Sequence, residues 1–161
     1  MQKITPYFWF DDQALEAANF YVSLFKNSKI NEISYRDETE PELIGKVMIV
    51  SFTLDGQDFI ALNGGPHFKF TEAISLFVDC EDQREVDRLW EALLDGGEAL
   101  QCGWLKDKYG LTWQIIPSIL IKLMNDPDPV KSARVRNAML KMVKIDIETL
   151  QKAYSGTEFN G

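Results

Sequence analysis

The sequence has few of the residues on which metal and nucleophilic chemistry most often depend. It contains one histidine, His67, and two cysteines, Cys80 and Cys102, in a chain of 161 residues. One histidine excludes a metal centre built from several imidazoles, since such centres need several protein donors at one point. The two cysteines lack Cys-x-x-Cys spacing, and so few of them predict reduced thiols rather than a disulfide framework.

The sequence also lacks an excess of positive charge and a long apolar run. Lys and Arg number 17 against 25 Asp and Glu, which gives a net charge of −8. A broad nucleic-acid surface needs clustered positive charge, so we expect no nucleic-acid partner. No apolar run approaches the roughly 18 residues of a transmembrane helix, and the N-terminus enters a strand pattern without the apolar stretch of a signal peptide. We therefore expect a cytoplasmic protein without a membrane partner.

One basic cluster interrupts the acidic background near the C-terminus. A solvated helix face is the interpretation that we favour, and binding of an anionic partner is the alternative. The cluster consists of Lys131, Arg134, Arg136, Lys141 and Lys144.

The most informative feature of the chain is a duplication. Ile4-Thr5-Pro6-Tyr7-Phe8 resembles Ile74-Ser75-Leu76-Phe77-Val78, an offset of 70 residues, and Asp12-Gln13 recurs as Asp82-Gln83. Each copy predicts an apolar strand followed by an amphipathic helix that starts at the Asp-Gln pair. Two similar halves predict two modules that close on each other, with a pocket between them.

Further strands complete each module, and helices follow them. Asp55-Gly56 between two apolar runs predicts a type I′ hairpin, because both central residues of that turn need positive φ. The first module has strand 4–10, a helix that begins after Asp11 or Asp12 with the aspartate as its cap, and strands 29–36, 47–54 and 59–62. The second module has strand 73–79, a helix 83–95 that starts at the repeated Asp82-Gln83 pair, and strands 98–106 and 111–116. Two helices follow, one from Pro129 to about residue 142 with Asp128 as its cap, and one from its cap Asp146 to residue 153. We divide the chain into modules 1–66 and 67–117, C-terminal helices 118–154 and a frayed tail 155–161, within one structural domain.

Three stretches resemble a known family. They are NGGPHFKFTEAIS at residues 63–75, QCGWLKDKYGLTWQ at residues 101–114 and the opening ITPYFWF at residues 4–10. Together with the duplicated strand-helix-three-strand unit, they resemble the PhnB-like branch of the vicinal oxygen chelate (glyoxalase/bleomycin resistance/dioxygenase) superfamily. That branch often carries the label 3-demethylubiquinone-9 3-methyltransferase. The resemblance covers roughly residues 3–154.

The resemblance implies an α+β fold in which paired βαβββ modules form a curved, partly open mixed sheet around a cleft, with C-terminal helices. In metal-using relatives, the first and last strands of each module supply the ligands, usually His and Glu. The positions here offer only hydroxyl, amide and apolar side chains, so we expect no tightly bound metal and a neutral hydrogen-bonding set instead. Those positions hold Thr5 or Pro6, Ile74 or Ser75, Asn63 and Gln114, and the last two each lie three residues before a proline.

The methyltransferase label has its own test. A Rossmann-like methyltransferase binds its nucleoside cofactor at a glycine-rich turn between a strand and a helix. Gly64-Gly65 meets Pro66 and then another strand. We therefore expect no S-adenosylmethionine site and no cofactor.

Six residues are the candidates for a ligand site in the cleft. Aromatic walls with a few convergent polar groups are typical of ligand pockets. Residues like the three aromatic candidates are more often plain core, and Asn63 before two glycines is equally well explained as a turn residue. Gln114 lies on an apolar strand, so its amide either faces the cleft or is satisfied by backbone, and we favour the cleft. The candidates are Trp9, Asn63, Phe70, Ser75, Trp104 and Gln114.

The sequence identifies no catalytic residue. Glu72 and Asp107 are possible general bases, Lys106 a possible anion contact, His67 a possible proton shuttle and Cys102 a possible nucleophile. A surface pair for Glu72, a turn for Asp107 and an exposed loop for His67 are the structural alternatives.

Two functional hypotheses remain open. The first is a glyoxalase-like module that binds a small organic molecule, and the alternative is an enzyme of the superfamily, either a lyase, an isomerase or dioxygenase-like. A methyltransferase comes third. The resemblance, together with the apolar faces after residue 117, also predicts a homodimer.

Overall fold

The structure is a computed structural model that describes residues 2–157. The chain forms two compact units, the first ending at Phe70 and the second beginning at Thr71. Residues 158–161 of the predicted frayed tail lie outside the described range, and residues 155–157 contain the end of the last helix. No helix within the described range is long and apolar enough to cross a membrane.

The first unit is one βαβββ module. Its elements are β1 (Tyr7–Phe10), α1 (Ala14–Leu24), β2 (Lys29–Tyr35), a 3₁₀ turn (Pro41–Leu43), β3 (Val47–Leu54) and β4 (Gln57–Asn63). The sheet has the order β1-β4-β3-β2, with β1 parallel to β4 and the other pairs antiparallel. The hairpin between β3 and β4 is confirmed, because Asp55 and Gly56 both have positive φ, 45° and 81°.

The core of the first unit lies between α1 and one face of the sheet. Three alanines, Ala14, Ala17 and Ala18, are fully buried on α1 and let the helix approach the strands closely. Aromatic rings fill the remaining space, with Phe59 stacked at 5.6 Å on both Phe8 and Phe52.

The second unit repeats the module and then adds helices. Its elements are β5 (Ser75–Cys80), α2 (Gln83–Leu94), β6 (Glu98–Ala99), β7 (Trp104–Lys106), β8 (Thr112–Pro117), α3 (Ser118–Met124), α4 (Pro129–Leu140) and α5 (Ile147–Ser155). The sheet order β5-β8-β7-β6 matches the order in the first unit, strand for strand. The predicted α+β class, with paired βαβββ modules and C-terminal helices, is confirmed. The sequence patterns predicted the helices that begin at Pro129 and near Asp146 but did not identify α3 as a helix of its own.

Aspartate side chains cap three helices, and the cap of α1 differs from the prediction. The side chains of Asp82, Asp128 and Asp146 accept backbone N–H bonds at the starts of α2, α4 and α5, as predicted. Helix α1 begins after Asp12, as predicted, but the predicted aspartate cap is wrong. Its N-cap is Gln13, which makes no side-chain bond, and the Ala14 amide donates instead to Oδ1 of Asn63 on β4 at 2.8 Å.

The C-terminal helices pack on the second sheet through a shared apolar core. Ile116, near the end of β8, is 4% exposed and lies in one cluster with side chains of α3, α4 and α5. The loop before β7 joins them, because the amides of Cys102 and Gly103 donate to the carbonyls of Met142 and Val143 at 2.9 and 2.7 Å. The helices therefore belong to the second unit as firmly as its own strands do.

Candidate functional site

The second sheet has one face covered by α2 and one face that α2 does not cover. Leu105, Trp113 and Ile115 point to the α2 side and are buried. The next residues along each strand alternate to the opposite side, which we call the open face. The open face consists of Ser75, Phe77, Trp104, Lys106, Thr112 and Gln114.

Strand register orders the open face into two rows. Ser75 is paired with Thr112 and Thr112 with Lys106, which makes a polar row. Phe77 is paired with Gln114 and Gln114 with Trp104, which makes a row of two aromatic side chains with an amide between them. Side chains directly opposite each other on one face are close neighbours.

Gln114 joins the two rows. Its Nε2 donates to Oγ of Ser75 at 2.9 Å, and both residues are only partly buried. The Gln114 side chain makes no second hydrogen bond to any of residues 2–157. The structure thus brings three of the six candidates together, Ser75, Trp104 and Gln114, on one face of one sheet.

An ion pair flanks the polar row. Lys106 Nζ contacts the carboxylate of Glu72, which lies in the turn before β5, and the Glu72 side chain is 50% exposed. The hydrogen bond from Lys106 holds the pKa of Glu72 below its usual range, and the same bond raises the pKa of Lys106. Glu72 is therefore a carboxylate at neutral pH and a poor general base, since an efficient base needs a pKa near the working pH.

Thr112 leaves a buried hydroxyl without a partner. Its side chain is fully buried, and Oγ1 makes no hydrogen bond to any residue from 2 to 157. Buried polar groups are nearly always paired, so the Thr112 hydroxyl is an exception, and its burial keeps it out of direct contact with a molecule on the open face.

Trp9 is held within the first unit. Its indole Nε1 donates to the Gly65 carbonyl at 2.9 Å, and its ring meets Phe68 edge-on at 4.9 Å. A Cβ on Gly64 would come within 2.3 Å of the indole ring, so only glycine fits beneath it. The Gly64-Gly65 pair packs against a tryptophan, an arrangement unlike a cradle for a nucleoside cofactor.

Asn63 is held by three hydrogen bonds. Oδ1 accepts from the Ala14 amide at 2.8 Å, and Nδ2 donates to the Val47 carbonyl at 3.1 Å. The Asn63 backbone carbonyl accepts from the guanidinium of Arg36. One residue at the end of β4 thus ties together α1, β3 and the loop after β2.

Phe70 lies on the other side of β1 from Trp9. Its ring meets Phe8 at 5.9 Å and Phe10 at 5.2 Å, both edge-on, and those two rings belong to the α1 side of the sheet. A role for Trp9, Asn63 or Phe70 in ligand binding stays a prediction.

The two amide candidates are not equivalent positions of the duplication. Asn63 is paired with Phe10, the last residue of β1, whereas Gln114 is paired with Phe77, in the middle of β5. The first-unit counterpart of Gln114 is Ile60, which is paired with Tyr7. Their shared spacing to a proline suggested an equivalence that the strand register corrects.

The remaining acidic candidate has a structural role. Asp107 is 3% exposed, and its carboxylate accepts from the amides of Tyr109 and Leu111 and from the indole of Trp113. The turn interpretation of Asp107 is thereby supported. Sequence reasoning did not find Thr112, because a threonine in an apolar strand carries no signal beyond β propensity.

The two thiols differ in their surroundings. Cys80 is fully buried, and burial raises the pKa of its thiol to about 12. Cys102 has a positive φ of 59° beside the docked amide of Gly103. Neither thiol lies within the open face.

Contacts inside the second unit engage much of the basic cluster. Arg134 Nη2 donates to the Tyr154 carbonyl at 2.9 Å, and Lys131 lies over the Tyr154 ring at 5.2 Å. Lys144 pairs with Asp87 on α2 at 2.8 Å. These contacts favour the structural interpretation of the cluster over binding of an anionic partner.

The strand positions that hold metal ligands in other branches do not fit a metal here. Ser75, Asn63 and Gln114 supply a hydroxyl and two amides and no negative charge. Among residues 2–157, moreover, no three His, Cys, Asp or Glu side chains come together in a group that could hold an ion.

Comparisons with known proteins place the chain in a family. The model of the 3-demethylubiquinone-9 3-methyltransferase family matches residues 2–116. A PhnB protein from Bacillus cereus is 41% identical, with a TM-score of 0.67 over 72% of this chain and 99% of its own. Protein PA1353 from Pseudomonas aeruginosa shares the fold at 17% identity, with a TM-score of 0.59 over 73% of this chain and 98% of its own. No curated protein matches the chain.

The family match ends earlier than the sequence resemblance suggested. It stops at Ile116 instead of continuing to residue 154, so α3, α4 and α5 lie outside it. The Bacillus cereus protein is covered almost completely by 72% of this chain, so more than a quarter of this chain has no counterpart in that protein. Over its first 116 residues, the chain belongs to the PhnB-like 3-demethylubiquinone-9 3-methyltransferase family.

Proposed function

We propose that this protein binds a small organic molecule on the open face of its second sheet, with Gln114 as the central polar contact. The observation that carries the proposal is the position of Gln114. Its amide lies between Phe77 and Trp104, is oriented by the 2.9 Å bond to Ser75, and keeps a carbonyl oxygen and a second N–H without partners among residues 2–157. An oriented amide between aromatic side chains is the usual composition of a ligand site.

The chemistry of the open face favours binding over catalysis. Gln114, Ser75 and Thr112 are neutral side chains that do not titrate near neutral pH. Glu72, the nearest carboxylate, has its pKa lowered by Lys106. An enzyme of the superfamily remains the alternative function, and the methyltransferase in the family's name has no supporting contact at Gly64-Gly65, which packs on Trp9.

The test is a ligand screen with a paired variant. Small organic molecules are screened against the full chain by ¹⁵N NMR, with the side-chain signals of Gln114 and Trp104 as the readout. Gln114→Ala should raise the Kd of any hit about five- to thirtyfold, since a hydrogen bond to a polar ligand contributes about 1–2 kcal/mol. Gln151→Ala, on the exposed surface of α5, is the control and should leave the Kd unchanged.

Two results would count against this site. The first is a set of hits that shift other signals and leave Gln114 and Trp104 untouched. The second is a Gln114→Ala variant that loses stability but stays folded and binds the hits, read at the Trp104 signal, with an unchanged Kd, which would return Gln114 to a structural role.

The predicted homodimer is also a proposal. Much of the apolar surface after residue 117 is buried within the chain itself, as with Leu120, Val135 and Leu150. Val130 and Leu140 on α4 remain 61% and 57% exposed and support a partner surface of limited size. Light scattering of the purified chain gives the answer directly, and a monomeric mass across the micromolar range would refute the dimer.

A further inference from the structure

We propose that the molecule bound on the open face is a small planar acid, a flat conjugated ring with a carboxylate, and that this carboxylate replaces Glu72 as the partner of Lys106. This inference rests on the proposed function, because it names the class of ligand for the same face. It begins with the hydrogen-bonding capacity that the polar row leaves unused.

The unused groups of the polar row are donors. Ser75 Oγ already accepts from Gln114, so its hydroxyl hydrogen is available to a further acceptor. The Thr112 hydroxyl between Ser75 and Lys106 is unpaired among residues 2–157 but fully buried, so those two residues are the accessible donors of the row. Lys106 has three N–H donors and contacts one carboxylate, that of Glu72. Such a set is complementary to a group with several acceptor oxygens.

Register places these donors within reach of one another. Ser75, Thr112 and Lys106 are directly paired across β5, β8 and β7. Neighbouring strands lie about 4.8 Å apart, so the row spans roughly 10 Å. A carboxylate has two oxygens that accept charge-assisted hydrogen bonds, and the long, flexible side chain of Lys106 can meet one of them while the Ser75 hydroxyl donates to the other.

The second row favours a flat ring. Phe77 and Trp104 lie on either side of Gln114, and Phe77 is 50% exposed. Aromatic side chains contact planar groups by stacking or edge-to-face packing. A molecule with its ring against this row would direct a carboxylate substituent toward the polar row beside it.

Glu72 already presents a carboxylate to Lys106. The turn that carries Glu72 is not part of the sheet, and the Glu72 side chain is half exposed, whereas Lys106 is 29% exposed. An exposed ion pair of this kind is weak, so a carboxylate that gains further hydrogen bonds and ring contacts can displace it. Glu72 thus acts as an internal competitor. Glu98 on β6 is the strand partner of Lys106. It carries a second negative charge nearby but does not contact the ammonium group.

The experiment compares acids with their neutral amides on the full-length protein. The probes are benzoate with benzamide, indole-3-acetate with indole-3-acetamide, and 2-naphthoate with 2-naphthamide, titrated by ¹⁵N NMR at the Gln114 and Trp104 signals. At least one acid should bind about tenfold more tightly than its amide. Lys106→Met should remove that preference, because it weakens binding of the acid much more than binding of the amide.

A matched pair of charge changes tests the competition itself. Glu72→Gln and Glu98→Gln each remove one negative charge near Lys106, but only Glu72 contacts the ammonium group. Glu72→Gln should tighten acid binding several-fold, and Glu98→Gln should change it less. Equal effects of the two variants would overturn the proposal that the ligand carboxylate replaces Glu72 as the partner of Lys106.

The remaining outcomes separate this inference from the proposed function. Acids and amides that bind equally well at Gln114 and Trp104 would overturn the acidic ligand class and leave the binding site in place. If no probe shifts either signal at millimolar concentration, while other screened molecules do, the planar-acid class is wrong. If no molecule of any class does so, the site itself is wrong.

Discussion

At the residue scale, the polar side chains that matter most connect elements distant in sequence. The Asn63 side chain accepts a hydrogen bond from the first amide of α1 and donates one to the Val47 carbonyl. Its backbone carbonyl accepts a hydrogen bond from the Arg36 guanidinium. Gln83 at the start of α2 has a similar role in the second unit, since its Oε1 accepts from the Ile147 amide at the start of α5. Both are helix caps supplied from another element, so no local pattern around residues 11–14 or 146–149 could reveal them.

Asn63→Ala should destabilise the protein by about 1–3 kcal/mol, because it removes an N-cap and leaves a partly buried amide and carbonyl unpaired. Urea denaturation measures the loss, and hydrogen exchange at the Ala14 amide shows whether it arises at the cap. Asn63→Asp keeps the acceptor for Ala14 but loses the donor to Val47, so its loss should be smaller. An Ala14 amide that stays equally protected in Asn63→Ala would show that Asn63 does not cap α1.

At the element scale, local patterns predicted the strands and the local caps, while their register needed the structure. The Asp55-Gly56 turn and the Asp82, Asp128 and Asp146 caps follow from short-range geometry and are found where predicted. The positions of Asn63 and Gln114 within the sheets do not follow from short-range geometry. A proline three residues after each of them does not determine which residue of the neighbouring strand lies opposite. In β8 the strand continues to Pro117, whereas β4 ends at Asn63.

Glycine packing in the loop before β7 gives a test of how the C-terminal helices dock. Gly103 has a φ of 84°, and a Cβ there would lie 2.7 Å from Ile116 Cδ1 and 3.0 Å from Ile145 Cγ1. Gly103→Ala should therefore cost about 2–4 kcal/mol in the free energy of unfolding, from backbone strain together with overpacking. Thermal or urea denaturation measures the change.

Gly45→Ala is the matched control for that substitution. Gly45 has a similar φ of 78°, but a Cβ there would meet no atom within 4 Å. Its cost should be limited to backbone strain of about 1 kcal/mol. Equal losses for the two variants would show that the contact between the loop and the C-terminal helices adds nothing.

At the scale of the whole molecule, the duplication predicted the fold, and only part of the candidate site followed from it. Ser75, Trp104 and Gln114 share one face because of their positions on three neighbouring strands. Trp9 and Phe70 lie on opposite sides of β1, which an aromatic-rich strand without clear alternation does not reveal. Thr112 and the contact between Lys106 and Glu72 become visible only when strands β5, β7 and β8 are placed in register.

The chain as a whole should lose stability in acid despite its net charge of −8 at neutral pH. Four carboxyl groups have a pKa below the usual range because hydrogen bonds stabilise the ionised form. They are Asp37 beside the Thr39 hydroxyl, Glu72 beside Lys106, Asp87 beside Lys144 and Asp126 beside the Asp128 amide. A group whose pKa is depressed in the folded state stabilises the fold above its unfolded pKa, and this contribution is lost as the pH falls through the folded value.

The expected profile is a urea midpoint that changes little between about pH 7 and pH 5 and decreases below about pH 4, where carboxyl groups of the unfolded chain bind protons first. Protonation also relieves repulsion among the excess acidic groups, which acts in the opposite direction. Asp87→Asn with Asp126→Asn separates the two effects, because it removes two of the depressed groups as well as two negative charges. If the hydrogen bonds dominate, the double variant has a lower midpoint at pH 7 and a shallower decrease in acid. A midpoint that instead increases steadily from pH 7 to pH 3 would show that charge repulsion dominates the acid response of this molecule.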